Sequence, residues 1–309
     1  MELIKVSEAS RISKIPDSTI YNWVEEGRFK NFGEGKKILL DKIEFLKNIP
    51  TTICFYNKKG GSGKSTSSKI LADYFEKMKI KTLIIDLDPQ ANITFSYLKY
   101  DDIFTGTGRD RKYTKPTFYN YLEDNTALNK IIIPYNDSID IIPSDQRLDS
   151  KISIDTIVLR KYILDIKNII GKYNIIIIDC PPSYNSLSRI GLLLANYIFC
   201  PVLAEKFSYD GIDEALGVLD DIKDYNKELI DFKVFLSKSE WQKTKIREFV
   251  ESLYKNELEN KYFDVSIPNF IGIVESQYER KNIFDYHSES VERIRDFCKQ
   301  VEDFIYNKR

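Results

Sequence analysis

TTICFYNKKGGSGKSTSSKILADYF, residues 51–75, is the stretch whose reading decides the fold. Thr52 to Asn57 is a β-branched and aromatic run of strand length, the end of the stretch carries apolar residues at helical spacing, and Gly60, Gly61 and Gly63 lie between them. A strand, a glycine-rich turn and a helix N-terminus bring consecutive backbone N–H groups and the positive end of the helix dipole around one anion. Glycine is needed where the backbone must approach phosphate oxygens without a Cβ in the way. Gly60, Gly61, Ser62, Gly63, Lys64, Ser65 and Thr66 are therefore expected to cradle a nucleotide, with Lys64 on the β- and γ-phosphates and the Ser65 hydroxyl on Mg²⁺.

Outward from this loop, strand-like runs alternate with helical patterns at Lys81 to Asp86, Ser138 to Ile142, Asn174 to Asp179, Tyr197 to Val202 and Phe232 to Leu236. IIIID at 175–179 is apolar on both faces, as a central parallel strand covered on each side must be. The expected class is α/β, a doubly wound and mostly parallel sheet. Asp86, Asp88 and Asp179 fall at or just after C-terminal strand ends, where open α/β sheets bind ligands. The polar stretch 101–115 reads as a surface excursion.

With 309 residues the chain is long enough for two domains of unequal size. Its 46 Lys and Arg against 47 Asp and Glu leave a net charge of −1, so any nucleic-acid binding must come from local patches. Cys54, Cys180, Cys200 and Cys298 form no C-x-x-C pair, and His287 is the single histidine. Neither a zinc ribbon nor a multi-histidine metal centre fits. The longest apolar stretch, 191–204, is too short to span a bilayer, and a cytoplasmic location is expected.

The loop departs from the standard motif, with Lys58 where that motif has glycine and with Lys59 added. In this deviant Walker A form, K-G-G-x-G-K-[ST]-[ST], the chain resembles the ParA/MinD family of ATPases over residues 51–309. The resemblance implies that Lys59 reaches the phosphates of a partner's ATP in a sandwich dimer. It implies that Asp88, in LIIDLDPQANIT at 83–94, positions the attacking water while Asp86 lies near the metal. It also implies that Asp179, in YNIIIIDCPPS at 173–183, holds the Mg²⁺ hydration shell, and that Pro268 and Asn269 lie near the adenine. The Asn-Lys-x-Asp guanine signature is absent, since Asn57-Lys58-Lys59 runs into Gly60, so ATP is expected rather than GTP.

Residues 1–48 read as a separate helical unit, with Asn48-Ile49-Pro50 as the linker to 51–309. Apolar residues at Val6, Ala9 and Ile12, then at Ile20, Trp23 and Val24, mark two helices. Asp17 and Ser18 are candidate caps for the second and Gly27 its stop. Two glycines within 28–38 suggest a short hairpin, and Asp41 to Lys47 a third helix. KVSEASRISKIPDSTIYNWVEEGRF at 5–29 resembles the helix-turn-helix of the MerR/excisionase group, with GEGKK at 33–37 as its wing. The resemblance implies that Ser18, Thr19, Tyr21 and Asn22 face DNA while Arg28, Lys36 and Lys37 clamp phosphates. A second basic cluster at 237–249, with Lys238, Lys243, Lys245 and Arg247, is a candidate for sequence-independent DNA contact. The expected function is a plasmid-segregation ATPase, nucleoid-associated, using ATP and Mg²⁺ and stimulated by a small centromere-binding ParB-like partner. The alternative is a nucleotide-gated transcription regulator. A membrane role is not expected, because the polar face of the last helix mixes acids with bases.

Overall fold

The computed structural model describes residues 2–13, 15–35, 37–106, 110, 112–151, 153–203, 208–239 and 258–307, with backbone alone at 208–215, 239 and 259. Lys36, Lys243, Lys245 and Arg247 lie outside the described residues. The chain opens with β1 (Leu3–Lys5), α1 (Val6–Ser13), α2 (Asp17–Glu25), β2 (Leu39–Asp41) and α3 (Lys42–Asn48). There follow β3 (Thr51–Phe55), α4 (Lys64–Lys77), β4 (Thr82–Asp86), the short helices α5 (Asn92–Phe95) and α6 (Tyr100–Ile103), and the ribbon β5 (Phe104–Thr105) and β6 (Lys112–Tyr113). Next come α7 (Phe118–Asp124), α8 (Leu128–Ile131), β7 (Ile133–Pro134), β8 (Ile139–Ile142), α9 (Thr156–Ile170) and β9 (Ile175–Asp179). The last part holds α10 (Ser186–Leu194), β10 (Tyr197–Leu203), α11 (Ser208–Tyr225), β11 (Asp231–Ser239), β12 (Tyr262–Pro268) and two further helices, Ile271–Glu279 and Glu289–Asn307.

Eight strands form the central sheet in the order β12-β11-β10-β3-β9-β4-β8-β7. Every pair in it is parallel except the edge pair β7 and β8. The period-two alternation of a strand feeds two cores at once. In β9, Ile175 and Ile177 enter the core shared with α4 and the C-terminal helix, whereas Ile176 and Ile178 enter the core beneath α9 and α10. Both faces are thus covered, which is why IIIID carries no alternation in its letters. The chain begins the sheet at β3, steps past one position to β4, and returns to insert β9 between them, so the order reverses at the end of β3. Parallel register sets Asp86 beside Asp179 and Asp179 beside Phe55 at one level of the sheet.

The N-terminal unit differs in detail from its sequence reading. Among the described residues no hairpin forms over 28–38; instead β1 pairs antiparallel with β2, Leu3 opposite Asp41. The intervening loop is held by Asn31, whose Oδ1 accepts from the N–H groups of Gly33 (2.8 Å) and Leu39 (3.0 Å). An asparagine side chain thus satisfies backbone donors that a hairpin ladder would otherwise have paired. The α2 N-cap position falls to Pro16, with no side-chain cap from Asp17 or Ser18. Gly27 does end the helix, in left-handed backbone. At α3 Asp41 is the cap, accepting from the Glu44 N–H at 2.9 Å. Ile4, Ala9, Ile20, Phe29, Leu40 and Phe45 build this unit's own core, against which Trp23 and Tyr306 of the C-terminal helix pack. That helix buries Val291, Ile294, Phe297, Cys298, Val301 and Ile305, so its apolar face is core. No described helix is long and apolar enough to cross a membrane.

Candidate nucleotide site

Asn57 fixes the turn that follows β3. Its Nδ2 donates to the Pro201 carbonyl (2.7 Å) and its Oδ1 accepts from the Lys59 N–H (2.8 Å). Gly61 (φ 72°) and Gly63 (φ 97°) then adopt left-handed backbone, which glycine takes without strain. Gly63 is the N-cap residue of α4 and offers no side-chain acceptor. The first N–H groups of the helix are left to a ligand.

Lys64, the first residue of α4, is buried, and its Nζ donates to the Lys59 carbonyl at 3.3 Å. Burial lowers the pKa of its ammonium, while the charges of Asp179 and Asp88 oppose that shift. The two acids favour the charged form of this buried lysine, which keeps an ammonium at the loop for phosphate oxygens. Gly60, Gly61, Gly63, Lys64, Ser65, Thr66, Asp88 and Gln277 line a cavity of about 580 Å³. An adjoining cleft of about 170 Å³ is lined by Ile267, Pro268, Asn269 and Phe270. Pro268 and Asn269 thus sit beside the loop, in a mainly apolar recess of the kind that suits a flat base.

Asp179 ends β9 at the floor of the site. Its Oδ1 accepts from Ser68 Oγ at 3.3 Å, whereas its Oδ2 is buried with no hydrogen-bond partner. Burial first, then the charge of Asp88, push its pKa up to about 7, with Ser65, Lys64 and Ser68 pulling the other way. An orphaned carboxylate oxygen behind Ser65 fits a hydrated Mg²⁺, which would supply the missing partner. The arrangement costs stability when the site holds no cation. An acid whose folded pKa exceeds its unfolded value loses stability as pH rises between the two. Asp179→Asn is expected to be more stable than the parent at pH 8 without nucleotide or Mg²⁺, by on the order of 2–4 kcal/mol. The gap should open between about pH 4 and 7 and stay flat above. Denaturant titrations across that range check this, and an Asn variant no more stable at pH 8 contradicts it.

Asp86, which the sequence reading sets near the metal, stands beside Asp179 in the register of the sheet. It is fully buried, and both oxygens are used: Oδ1 accepts from the Asp88 N–H (3.0 Å), Oδ2 from the Thr94 N–H (3.1 Å) and hydroxyl (2.6 Å). Burial, then the charge of Asp179, raise its pKa well above the usual range. A carboxylate so bonded organises the loop that carries Asp88. Thr94 Oγ1 in turn accepts from the Ser144 N–H (3.0 Å), and Ser144 Oγ donates to the Asp88 carbonyl (2.5 Å). This chain locks the segment carrying Asp88. The Asp88 carboxylate lines the cavity, with Oδ1 accepting from the Gln90 N–H at 2.9 Å and its pKa raised mainly by burial. Thr94, Ser144 and Gln277 were not among the sequence candidates; the spacing of Thr94 after Asp86 was the one available signal.

On the N-terminal unit, Ser18, Tyr21 and Asn22 are exposed along α2 and Thr19 is half-buried, while Ile20 is buried. Lys37 is exposed. Arg28 is not free to clamp phosphates. Its guanidinium lies 4.3 Å over the Trp23 ring and donates to the Gly171 (3.2 Å) and Asn48 carbonyls. The fork is committed to the seam between this unit and the turn before β9.

Residues 50–232 match the family described as an AAA domain. The chain is 27% identical over 247 residues to the chromosome-partitioning ATPase Soj of Treponema pallidum (strain Nichols), covering 77% of this chain and 90% of that protein. It is 26% identical over 256 residues to the sporulation initiation inhibitor protein Soj of Bacillus subtilis (strain 168), covering 81% and 97%. Among solved structures, a plasmid partition protein of Borrelia burgdorferi B31 bound to AMPPNP superimposes with a TM-score of 0.63 at 25% identity, covering 81% of this chain and 99% of that one.

Proposed function

The chain belongs to the AAA-domain family as a ParA-type ATPase with the deviant phosphate loop, and from that premise we propose that it hydrolyses ATP with Mg²⁺ to drive DNA partition. The observation that carries this reading is buried Lys64 flanked by Asp88 and by the orphaned Oδ2 of Asp179, behind a loop with two left-handed glycines. The partition role rests on the Soj relatives and on the Borrelia protein, whose bound AMPPNP also supports ATP as the nucleotide.

In this mechanism the N–H groups from Gly60 to Thr66 bind the phosphates, and Lys64 neutralises charge on the β- and γ-oxygens. Ser65 and Asp179 hold Mg²⁺, which supplies further charge neutralisation at the phosphates when bound. Asp88, fixed by Asp86, Thr94 and Ser144, keeps one carboxylate oxygen off the Gln90 N–H to accept a hydrogen bond from the attacking water. The adenine lies against Pro268 and Asn269.

The wider assignment divides the chain at 48–51 into a site-reading unit and an ATPase. ATP closes a dimer in which Lys59 reaches the partner's phosphates, the dimer binds DNA, and a small centromere-binding protein accelerates hydrolysis to release it. Lys59→Ala tests the dimer. It is expected to bind ATP as a monomer and to fail to dimerise; a normal ATP-dependent dimer in light scattering removes Lys59 from the trans role.

A further inference from the structure

The end of β11 comes close to the phosphate loop. Ser237 Oγ donates to the Ser62 carbonyl, with the Val202 carbonyl 3.3 Å away. A Cβ on Gly63 would stand 3.1 Å from that same Oγ, a tight contact that adds to the preference for glycine set by its φ. One residue further, Lys238 Nζ donates to the Gly61 carbonyl at 2.9 Å. Lys238 holds left-handed backbone, φ 51°, which a non-glycine residue adopts at a cost on the order of 1 kcal/mol. The pairing of β11 with β12 slips between Leu236 and Ser239, an irregularity of the kind that re-aims a side chain. Lys238 is aimed where the nucleotide cavity meets the narrower cleft of Pro268 and Asn269, and it lines both.

We infer that Ser237 and Lys238 are positioning residues that brace the phosphate loop, an assignment that rests on the nucleotide reading above and adds two residues to it. In a trans peptide the C=O and the following N–H point to opposite sides. Holding the Gly61 and Ser62 carbonyls toward β11 turns the N–H groups of Ser62 and Gly63 away from it, where successive donors form a concavity for an anion. Because these bonds use only the chain's own atoms, the brace would order the loop independently of ligand, and the ligand would not bear that cost. The Lys238 ammonium also adds positive charge where the phosphate chain enters.

Amide hydrogen exchange of the segment 60–66 in the nucleotide-free full chain, together with kcat and KM for Mg·ATP, tests the brace. Lys238→Met is expected to speed exchange of this segment about tenfold and to raise KM about tenfold with kcat within about twofold, as loss of a charged hydrogen bond should. Lys238→Arg should recover most of both effects, and Ser237→Ala should give the same pattern at smaller size. Unchanged exchange and unchanged KM in Lys238→Met overturn the brace, as does a fall in kcat at constant KM. If the parent binds no ATP, the ATPase reading fails by itself; faster exchange in Lys238→Met then still upholds the brace, and unchanged exchange overturns it.

Discussion

Lys64→Ala is expected to weaken ATP binding more than about a hundredfold, whereas Asp88→Ala binds ATP and dimerises but turns over on the order of 10²–10³ times more slowly. The two side chains line one cavity, so their difference lies in what each can do for a phosphate chain. Lys64 is buried, and its removal leaves Asp88 and Asp179 facing each other without a cation. Two buried acids then repel any incoming phosphate, and the loss falls on binding in the ground state. Asp88 carries no positive charge and cannot hold phosphate. Removing it reduces the negative charge near the γ-phosphate, so ground-state affinity should hold or improve while the water loses its acceptor. Equilibrium binding of a fluorescent ATP analogue, read beside phosphate release, separates the two. Parent-level turnover in Asp88→Ala would take Asp88 out of the catalytic role, and parent-level binding in Lys64→Ala would undo the loop assignment.

Much of this site is legible in the sequence because its determinants are local. The strand before the loop, its glycines and the helix after it are contiguous, and parallel strands covered on both faces leave an unalternating run such as 175–179. The acids at strand ends are legible for the same reason. Their division of labour is not. Local pattern does not separate Asp86 from Asp88, and only the family resemblance gives them different roles; in the fold the register sets Asp86 beside Asp179, and Thr94 bonds to it. That leaves only Asp88 with an oxygen toward the cavity. Ser144, fifty-six residues from Asp88, joins the lock through the β8 end, a partnership with no local signature.

The same reasoning accounts for Lys238 and Arg28. In sequence both are basic residues among others, and a DNA contact is the natural expectation for each. The fold gives Lys238 to a phosphate-loop carbonyl and Arg28 to the Gly171 and Asn48 carbonyls. Among the described residues of 28–38 no strand pair is present; Asn31 takes two backbone donors with one side-chain oxygen, and β2 pairs with β1. A side-chain substitute of this kind has no periodicity to detect.

Changing Thr19 and Asn22 together to Ala is expected to relax sequence preference on DNA, at roughly 1–3 kcal/mol for each base-edge hydrogen bond removed, without altering ATP turnover. These residues and their neighbours Ser18 and Tyr21 lie on the outer side of α2, while Ile20 anchors the helix in the unit's core. Substitution there should leave the fold intact. Neutralising Lys243, Lys245 and Arg247 should instead weaken binding to any duplex and flatten its salt dependence with no change in site choice, because phosphate contacts position and base contacts specify. Point changes are the right tool. Removing residues 1–48 would uncover Tyr306 and leave Glu302 without its neighbour Lys47 at 3.9 Å, so loss of binding in the truncated chain would report damage to the C-terminal helix. Binding of the full chain with ATP to random-sequence duplexes and to duplexes enriched for it, each over a salt series, gives both readouts. If the α2 pair abolishes binding to both pools while the Lys243, Lys245 and Arg247 variant binds as the parent does, the N-terminal unit makes all the DNA contacts, and a nucleotide-gated regulator replaces the partition ATPase.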